Sequence, residues 1–254
     1  MRDFKNILIT GASGGLGRAL AVRYAAPGTQ MGLLGRDEAR LAETAALCSA
    51  RGASVTTVSM DLSDRNRLTD WVATFDDTHP VDLVIANAGA MHAVRPEKLP
   101  EPAALIDETF ATNFTGVLDT VNPLLGRMVA RGGGHVAIIG SLSAYRGLPV
   151  FPAYAASKAA LKSYYEALRG LYARQGVHIS IACPGYIDTR MTESLRVNRS
   201  MLMGVETAAA RIERGVNGNA GLITFPWHQG LGLQLLGLLP QRLADRILLA
   251  FFRL

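Results

Sequence analysis

The sequence predicts an α/β fold, a parallel sheet covered by helices on both faces. Three observations carry this. Short β-type runs recur along the chain with helix-compatible stretches between them. Several runs are apolar almost throughout, as in Ile7-Leu8-Ile9, Leu83-Val84-Ile85 and Val136-Ala137-Ile138-Ile139, the pattern of strands buried on both sides. The first run leads directly into a glycine-rich turn and a helix.

In order, strands are expected at 6–10, 30–34, 54–60, 81–86, 135–140, 177–183 and 221–225, and helices at 16–24, 37–50, 65–75, 102–131 and 152–175. Pro102 and Pro152 stand where a first helical turn tolerates proline. Gly132-Gly133-Gly134 ends one helix and frees the backbone to enter the next strand. From Pro184 to about Val205 the strand rhythm lapses. That stretch follows the end of a strand, where open parallel sheets bind ligands, so about 188–205 is a candidate lid. With no internal repeat or linker, 1–254 reads as a single domain, with an apolar helical extension over about 227–254.

Composition excludes several classes. Of 254 residues, 49% are hydrophobic and 19% charged, enough to bury a large core and too apolar for a disordered chain. Cys48 and Cys183 are too few and too isolated for a disulfide framework or a thiolate zinc site; no metal is expected and a reducing, cytoplasmic setting is. The net charge of +5 comes from scattered residues without a Lys/Arg run, which argues against nucleic acid. No leader-like apolar segment precedes the first strand, and no uninterrupted apolar run is long enough to span a membrane.

The turn reads Thr10-Gly11-Ala12-Ser13-Gly14-Gly15-Leu16-Gly17. Gly11, Gly15 and Gly17 allow a tight turn, close approach of amides to a phosphate and close packing of helix on sheet. The helix N-terminus adds partial positive charge. An ordinary strand-to-helix connection is the alternative, but the position after the first strand of a βαβ unit favours a dinucleotide. At the end of the second strand, where a carboxylate would select NAD(H), stands Leu34-Gly35-Arg36. Arg36 offers a planar fork for a 2′-phosphate, which favours NADP(H) over NAD(H), unless Arg36 is merely solvated beside Asp37.

Tyr154 and Lys158 lie four apart on one face of a predicted helix. A phenol with an ordinary pKa of about 10 becomes a useful acid–base group when a nearby cation favours its phenolate, and Lys158 can supply that cation. Ser141, at the end of the fifth strand, could hold a substrate carbonyl oxygen. Singly, each has a plain structural alternative: a helix aromatic, a surface charge, a strand-end turn residue.

Together, in this order and spacing, these features resemble the compact, single-domain short-chain dehydrogenase/reductase family over about residues 4–192. The resemblance extends through Asp61-Leu62, Asn87-Ala88-Gly89, Asn113 and Pro184-Gly185-Tyr186-Ile187-Asp188-Thr189. It implies a Rossmann-type, doubly wound, seven-stranded sheet in the order 3-2-1-4-5-6-7 and hydride transfer between a nicotinamide and a carbonyl or alcohol carbon. By similarity, Tyr154 exchanges a proton with the carbonyl oxygen and Ser141 orients that oxygen. Lys158 binds the nicotinamide ribose and lowers the Tyr154 pKa, while Asn113 holds a water that extends the proton relay. The turn, with Ser13 and Leu16, holds the pyrophosphate side. Asp61 and Leu62 flank the adenine; Asn87, Ala88 and Gly89 line the adenosine ribose. Pro184 and Gly185 shape a turn from which Ile187 and Thr189 fix the carboxamide. A homodimer or homotetramer is implied as well. Two departures stand out: many NADP-dependent relatives carry a basic residue where this chain has Gly14, and an apolar segment follows the seventh strand.

After Pro240 a helix would gather Leu243, Ile247, Ala250 and Phe251 on one face and Arg242, Asp245, Arg246 and Arg253 mostly on another. Such a helix either lies on an anionic membrane surface, caps the substrate cleft or packs on a partner subunit. With Met191, Leu195, Met201, Leu202 and Met203 in the presumed lid, it points to a hydrophobic, lipid-like carbonyl or alcohol substrate. The competing functions are a non-catalytic sensor of nucleotide redox state and an isomerase or dehydratase that retains NAD.

Overall fold

The computed structural model describes residues 3–94, 99–193, 195, 198–252 and 254. Seven parallel strands form one sheet in the order β3-β2-β1-β4-β5-β6-β7: β1 Asn6–Thr10, β2 Gln30–Gly35, β3 Ser54–Ser59, β4 Leu83–Ala86, β5 Gly134–Ile139, β6 Val177–Pro184 and β7 Leu222–Phe225. The order is the one the family resemblance implied. The strand reversal between β1 and β4 leaves a crevice at the carboxyl edge of the sheet, the place where such sheets bind ligands.

Side chains of a strand alternate between faces, so neighbours in β1 serve two cores. Ile7 and Ile9 join a cluster with Leu20, Leu33 and Leu41 under α1 Gly15–Tyr24, α2 Glu38–Ser49 and α8 Val205–Asn217. Leu8 joins Leu68, Val121, Leu124, Leu161 and Tyr165 under α3 Arg65–Thr78, α5 Gly116–Ala130 and α6 Pro152–Ala173. Each such side chain, fully buried, contributes roughly 2 kcal/mol. A buried carboxylate, Asp76, ties α3 to α5 through Arg131 (2.7 and 2.8 Å) and Arg127 (3.1 Å) and accepts from the Val81 amide at 2.8 Å.

The structure differs from the sequence reading in three places. The helix expected over 102–131 is broken into α4 Ala103–Phe110, a π-turn Ala111–Thr115 and α5. The wider turn carries Asn113, which is drawn out of the helical pattern by bonds to the Ala90 backbone. The stretch 205–217, outside the expected helices, is α8; Ala208, Ala209, Ile212 and Val216 recur at helical spacing and are buried. After β7 come two helices, α9 Trp227–Leu236 and α10 Gln241–Phe252. In α10 the inward residues are Ala244 and Leu248, while Leu243, Ile247, Ala250 and Phe251 are exposed. The apolar arc is wider than the cleft it covers, so only one edge of it is buried. Arg253 lies outside the described residues.

The candidate lid begins with a short helix, α7 Arg190–Glu193. Its base is pinned by a bridge between Ile187 and Met203, with the Asp188 amide donating to the Met203 carbonyl and the Met203 amide to that of Tyr186, both at 2.9 Å.

Candidate active site

A single cavity of about 870 Å³ runs along the carboxyl edge of the sheet. Of the residues singled out from sequence, Gly11, Ser13, Gly15, Leu16, Arg36, Asp61, Leu62, Asn87, Ala88, Gly89, Ser141, Tyr154, Lys158, Pro184, Gly185, Ile187 and Thr189 line it. Gly17 and Asn113 do not.

The glycine turn has φ of +68° at Gly11 and +51° at Gly15, a region that favours glycine. A Cβ on Gly11 would stand 2.8 Å from the Ala88 Cα, and one on Gly17 would strike the Gly11 carbonyl and the Asn87 amide. Gly17 thus serves helix packing. Among the described residues no side chain caps α1, so the amides of its first turn remain for a ligand. The Thr10 hydroxyl accepts from the Asn87 and Ala88 amides, each at 3.1 Å, and the Asn87 side chain donates to the carbonyls of Thr10 (3.0 Å) and Gly11 (3.2 Å). Asn87 is spent joining the β1 turn to the β4 loop. An uncapped helix start over a turn that admits no Cβ, opening on the cleft, fits a dinucleotide pyrophosphate.

At the β2 end, Arg36 is 64% exposed along its side chain and 3.5 Å from Asp61. Burial pulls the Asp61 carboxyl up, but bonds from Ser63 and the Arg36 cation outweigh it and hold the group below its ordinary value. Asp37 is not Arg36's counter-charge; it caps α2, accepting from the Arg40 amide at 3.1 Å. Sequence reasoning missed Arg40. Its Nε donates to the Ser13 carbonyl at 3.0 Å, and its guanidinium covers Gly14 so closely that a Cβ there would overlap it. A cation thus lies at the position where Gly14 leaves the turn without a basic side chain, delivered from α2.

At the other end, α6 begins at Pro152 with the Ala153 amide capped by Glu101 Oε2 at 3.0 Å, which fixes the first turn that carries Tyr154. Lys158, 3% exposed, donates to the Ile139 carbonyl at 2.9 Å and lies 5.9 Å from the centre of the Tyr154 ring. Burial lowers its pKa from 10.5 to about 8. Burial also pushes the Tyr154 phenol up, against the opposing bond to Ser141. Desolvation of the phenolate is the largest influence on Tyr154, larger than the bond to Ser141 that opposes it. The Ser143 amide donates to Ser141 Oγ at 3.1 Å, and the Ser143 hydroxyl, buried and lining the cavity, has no partner among the described residues. Tyr186, beside Tyr154, is a second phenol in the cavity and is also raised by burial.

Asn113 is fully buried. Its Oδ1 accepts from the Ala90 amide (2.7 Å), and its Nδ2 donates to the Ala90 carbonyl (2.9 Å) and Ser157 Oγ (3.0 Å), which in turn donates to the Tyr154 carbonyl (2.8 Å). Both amide hydrogens are used, so Asn113 clamps the β4 loop to the Tyr154 helix. The space above Gly89 is bordered by Asn113 Oδ1 and Lys158 Nζ, 3.3 and 3.6 Å from where a Cβ would stand.

The remaining wall is apolar. Leu142, Phe151, Met191 and Met201 meet Leu233 and Leu236 of α9 and Leu248 and Phe252 of α10. Of the presumed lid residues, Met191 and Met201 reach the cavity, Met203 packs on the core, and Leu195 and Leu202 do not line it. His92 and Glu108, 3.2 Å apart, are the polar pair in this part. Among the described residues no group of His, Cys, Asp and Glu is arranged to hold a metal ion.

The model of the short chain dehydrogenase family matches residues 5–200. An uncharacterised oxidoreductase of Myxococcus xanthus is 31% identical, covering 96% of each chain. One of Mycobacterium tuberculosis is 35% identical over 95% of this chain and 96% of its own. A ketoacyl reductase, HetN, of a Nostoc species is 32% identical over 80% of this chain and 71% of its own. Among solved structures, levodione reductase superposes with a TM-score of 0.79 at 25% identity, covering 91% of this chain and 99% of that one. A Burkholderia phymatum protein in complex with NAD (TM-score 0.82, 24% identity, 92% and 94% covered) shares the fold. So does a Sphingobium yanoikuyae protein in complex with NADPH (0.80, 23%, 93% and 97%).

Proposed function

The chain belongs to the short-chain dehydrogenase/reductase family, and from that premise we propose that it is an NADP(H)-dependent oxidoreductase interconverting a hydrophobic ketone or aldehyde with its alcohol. The observation that carries this is the meeting of Ser141, Tyr154 and Lys158 on one cavity with the glycine turn and Arg36. When bound, NADP(H) supplies or takes up the hydride. The turn of 11–17 and the start of α1 would hold its pyrophosphate, Arg36 and Arg40 its 2′-phosphate, and Lys158 its nicotinamide ribose.

This chain's residues handle the proton. A phenol raised by burial stays protonated at neutral pH, so Tyr154 is poised to donate to a carbonyl oxygen. Ser141, held by the Ser143 amide, turns its hydroxyl toward that oxygen. Lys158, with a pKa of about 8, can pass a proton toward Tyr154, and a water over Gly89 would link it to Asn113 Oδ1. The unpartnered Ser143 hydroxyl suits a second substrate oxygen. The apolar wall of α9 and α10 supports a lipid-like substrate. The ketoacyl activity named for HetN agrees with such a substrate. We read 1–254 as one cytoplasmic domain whose segment 188–205 closes over the cleft and which works as a homodimer or homotetramer.

The test is a panel of 3-ketoacyl, steroid, sugar and long-chain keto-lipid compounds with NADPH and with NADH. Faster consumption of NADPH on the apolar members is expected. Nucleotide binding without turnover of any member would favour the redox sensor, and tightly retained NAD after purification the isomerase or dehydratase.

A further inference from the structure

We infer that the outer face of the α9–α10 pair is a docking surface for a membrane rich in anionic lipid. No Asp, Glu, Lys or Arg stands between Arg214 and Arg242, so the polar side chains of α9 are those of His228, Gln229 and Gln234. Its inner side carries Gly230, Leu233 and Leu236 against the domain; its outer side carries Trp227, Leu231 and Leu235 at successive turns, all exposed. A helix with large apolar side chains on both its inner and its outer side shelters them from water only when both sides are covered. The turn that follows exposes Leu238 at 81%, and Trp227 is exposed at 70%. Soluble monomers rarely present so continuous an apolar patch without a use for it.

The charges beside the patch select its occupant. On α10, helical spacing places Arg242 and Arg246 along the edge of the exposed stripe formed by Leu243, Ala250 and Ile247. Among the described residues neither arginine has an acidic partner. The one acid within 227–254, Asp245, stands one turn from Arg242 but is engaged elsewhere, held by the Gln241 side chain at 2.8 Å and facing Arg146 at 3.6 Å. An apolar stripe edged by unpaired arginines matches the acyl–headgroup boundary of an anionic bilayer, where stems are buried and guanidinium groups reach phosphates. A second copy of the chain fits poorly. An isologous contact would press four arginines together with no free carboxylate to meet them.

The surface is also placed for use. Ile247 and Phe251 are exposed on this face and line the cavity, so its rim opens where lipid would lie. The inference goes beyond the proposed reaction, and vesicle binding reports on it whatever substrate is turned over.

The test is co-sedimentation of the full chain with vesicles of phosphatidylcholine alone and of phosphatidylcholine mixed with phosphatidylglycerol. Binding to the mixed vesicles alone is expected, weakening as salt rises. In Trp71→Phe, Trp227 is the only tryptophan, and its emission should move to the blue on the mixed vesicles. Each cation near an anionic surface is worth about fivefold in partitioning, so R242Q/R246Q should bind about 25-fold more weakly. L235D/L238D should not bind. Both variants should keep wild-type turnover of a water-soluble ketone, because none of the four side chains lines the cavity. Equal binding to both vesicle types would overturn the inference. So would absence of vesicle binding by the wild type, and a wild-type oligomer that L235D/L238D dissociates would then assign the patch to a self-contact.

Discussion

Lys158 is held at a cost, and removing it should make the protein more stable. The side chain is 3% exposed, faces no carboxylate among the described residues, and has its pKa lowered by burial from 10.5 to about 8. That displacement means a penalty of about 3 kcal/mol for keeping the ammonium charged in the folded chain near neutral pH. Its bond to the Ile139 carbonyl returns ~1 kcal/mol. Lys158→Met, similar in shape and uncharged, should therefore stabilise the nucleotide-free protein by about 2 kcal/mol at pH 7 while abolishing turnover. The pH dependence gives an independent check. Below about pH 8 both the folded and the unfolded chain bind the proton and the penalty is fully present. Between about 8 and 10.5 the unfolded chain still holds a proton that the folded chain has released, so wild-type stability rises with pH. The variant's advantage should fall close to zero by about pH 9.5. Urea unfolding of both proteins at the two pH values measures this directly. A variant less stable than wild type at pH 7, or a difference that does not change with pH, would refute the reasoning.

Two further outcomes follow from other parts of the structure. If Arg36 and Arg40 hold a 2′-phosphate, Arg36→Asp and Arg40→Ala should each shift the ratio of kcat/KM for NADPH over NADH downward by roughly 10–100-fold, the worth of one charge-assisted bond; unchanged selectivity would mean that the arginine is only solvated. Asp76→Ala should cost about 3–5 kcal/mol in urea unfolding, because it strands the Arg131 guanidinium and the Val81 amide. The bonds from Arg131 and Val81 overcome the effect of burial and hold the Asp76 carboxyl below its ordinary value. Its contribution is thus present above about pH 4 and lost as the pH falls through the folded-state pKa, and a deficit that persisted unchanged into acid would contradict this.

Much of the fold was legible because both faces of the sheet are buried. That requirement writes β1, β4 and β5 as near-continuous apolar runs, and their ends fall within two residues of those read from sequence. The glycine turn and the Tyr154–Lys158 pair were legible because each rests on local geometry, a positive φ or a four-residue spacing. What was hidden depends on approach from afar. Arg40 sits on α2 like any solvated arginine until the sheet brings α2 over Gly14. The π-turn at Asn113 has no local signature; bonds to Ala90, far along the chain, create it. In α10 the periodicity identified an amphipathic helix, but which edge of its apolar arc is buried depends on where the cleft lies. The opposed shifts of Tyr154 and Lys158 arise from burial, which spacing does not reveal.

The central claim is that Tyr154 is the proton donor of a carbonyl reduction. Tyr154→Phe tests it most directly, with NADPH binding followed by fluorescence titration and turnover by NADPH consumption on a ketone the wild type reduces. Binding within about twofold of wild type and a loss of turnover of about 10²–10⁴-fold are expected. Near-normal turnover in the variant would contradict it.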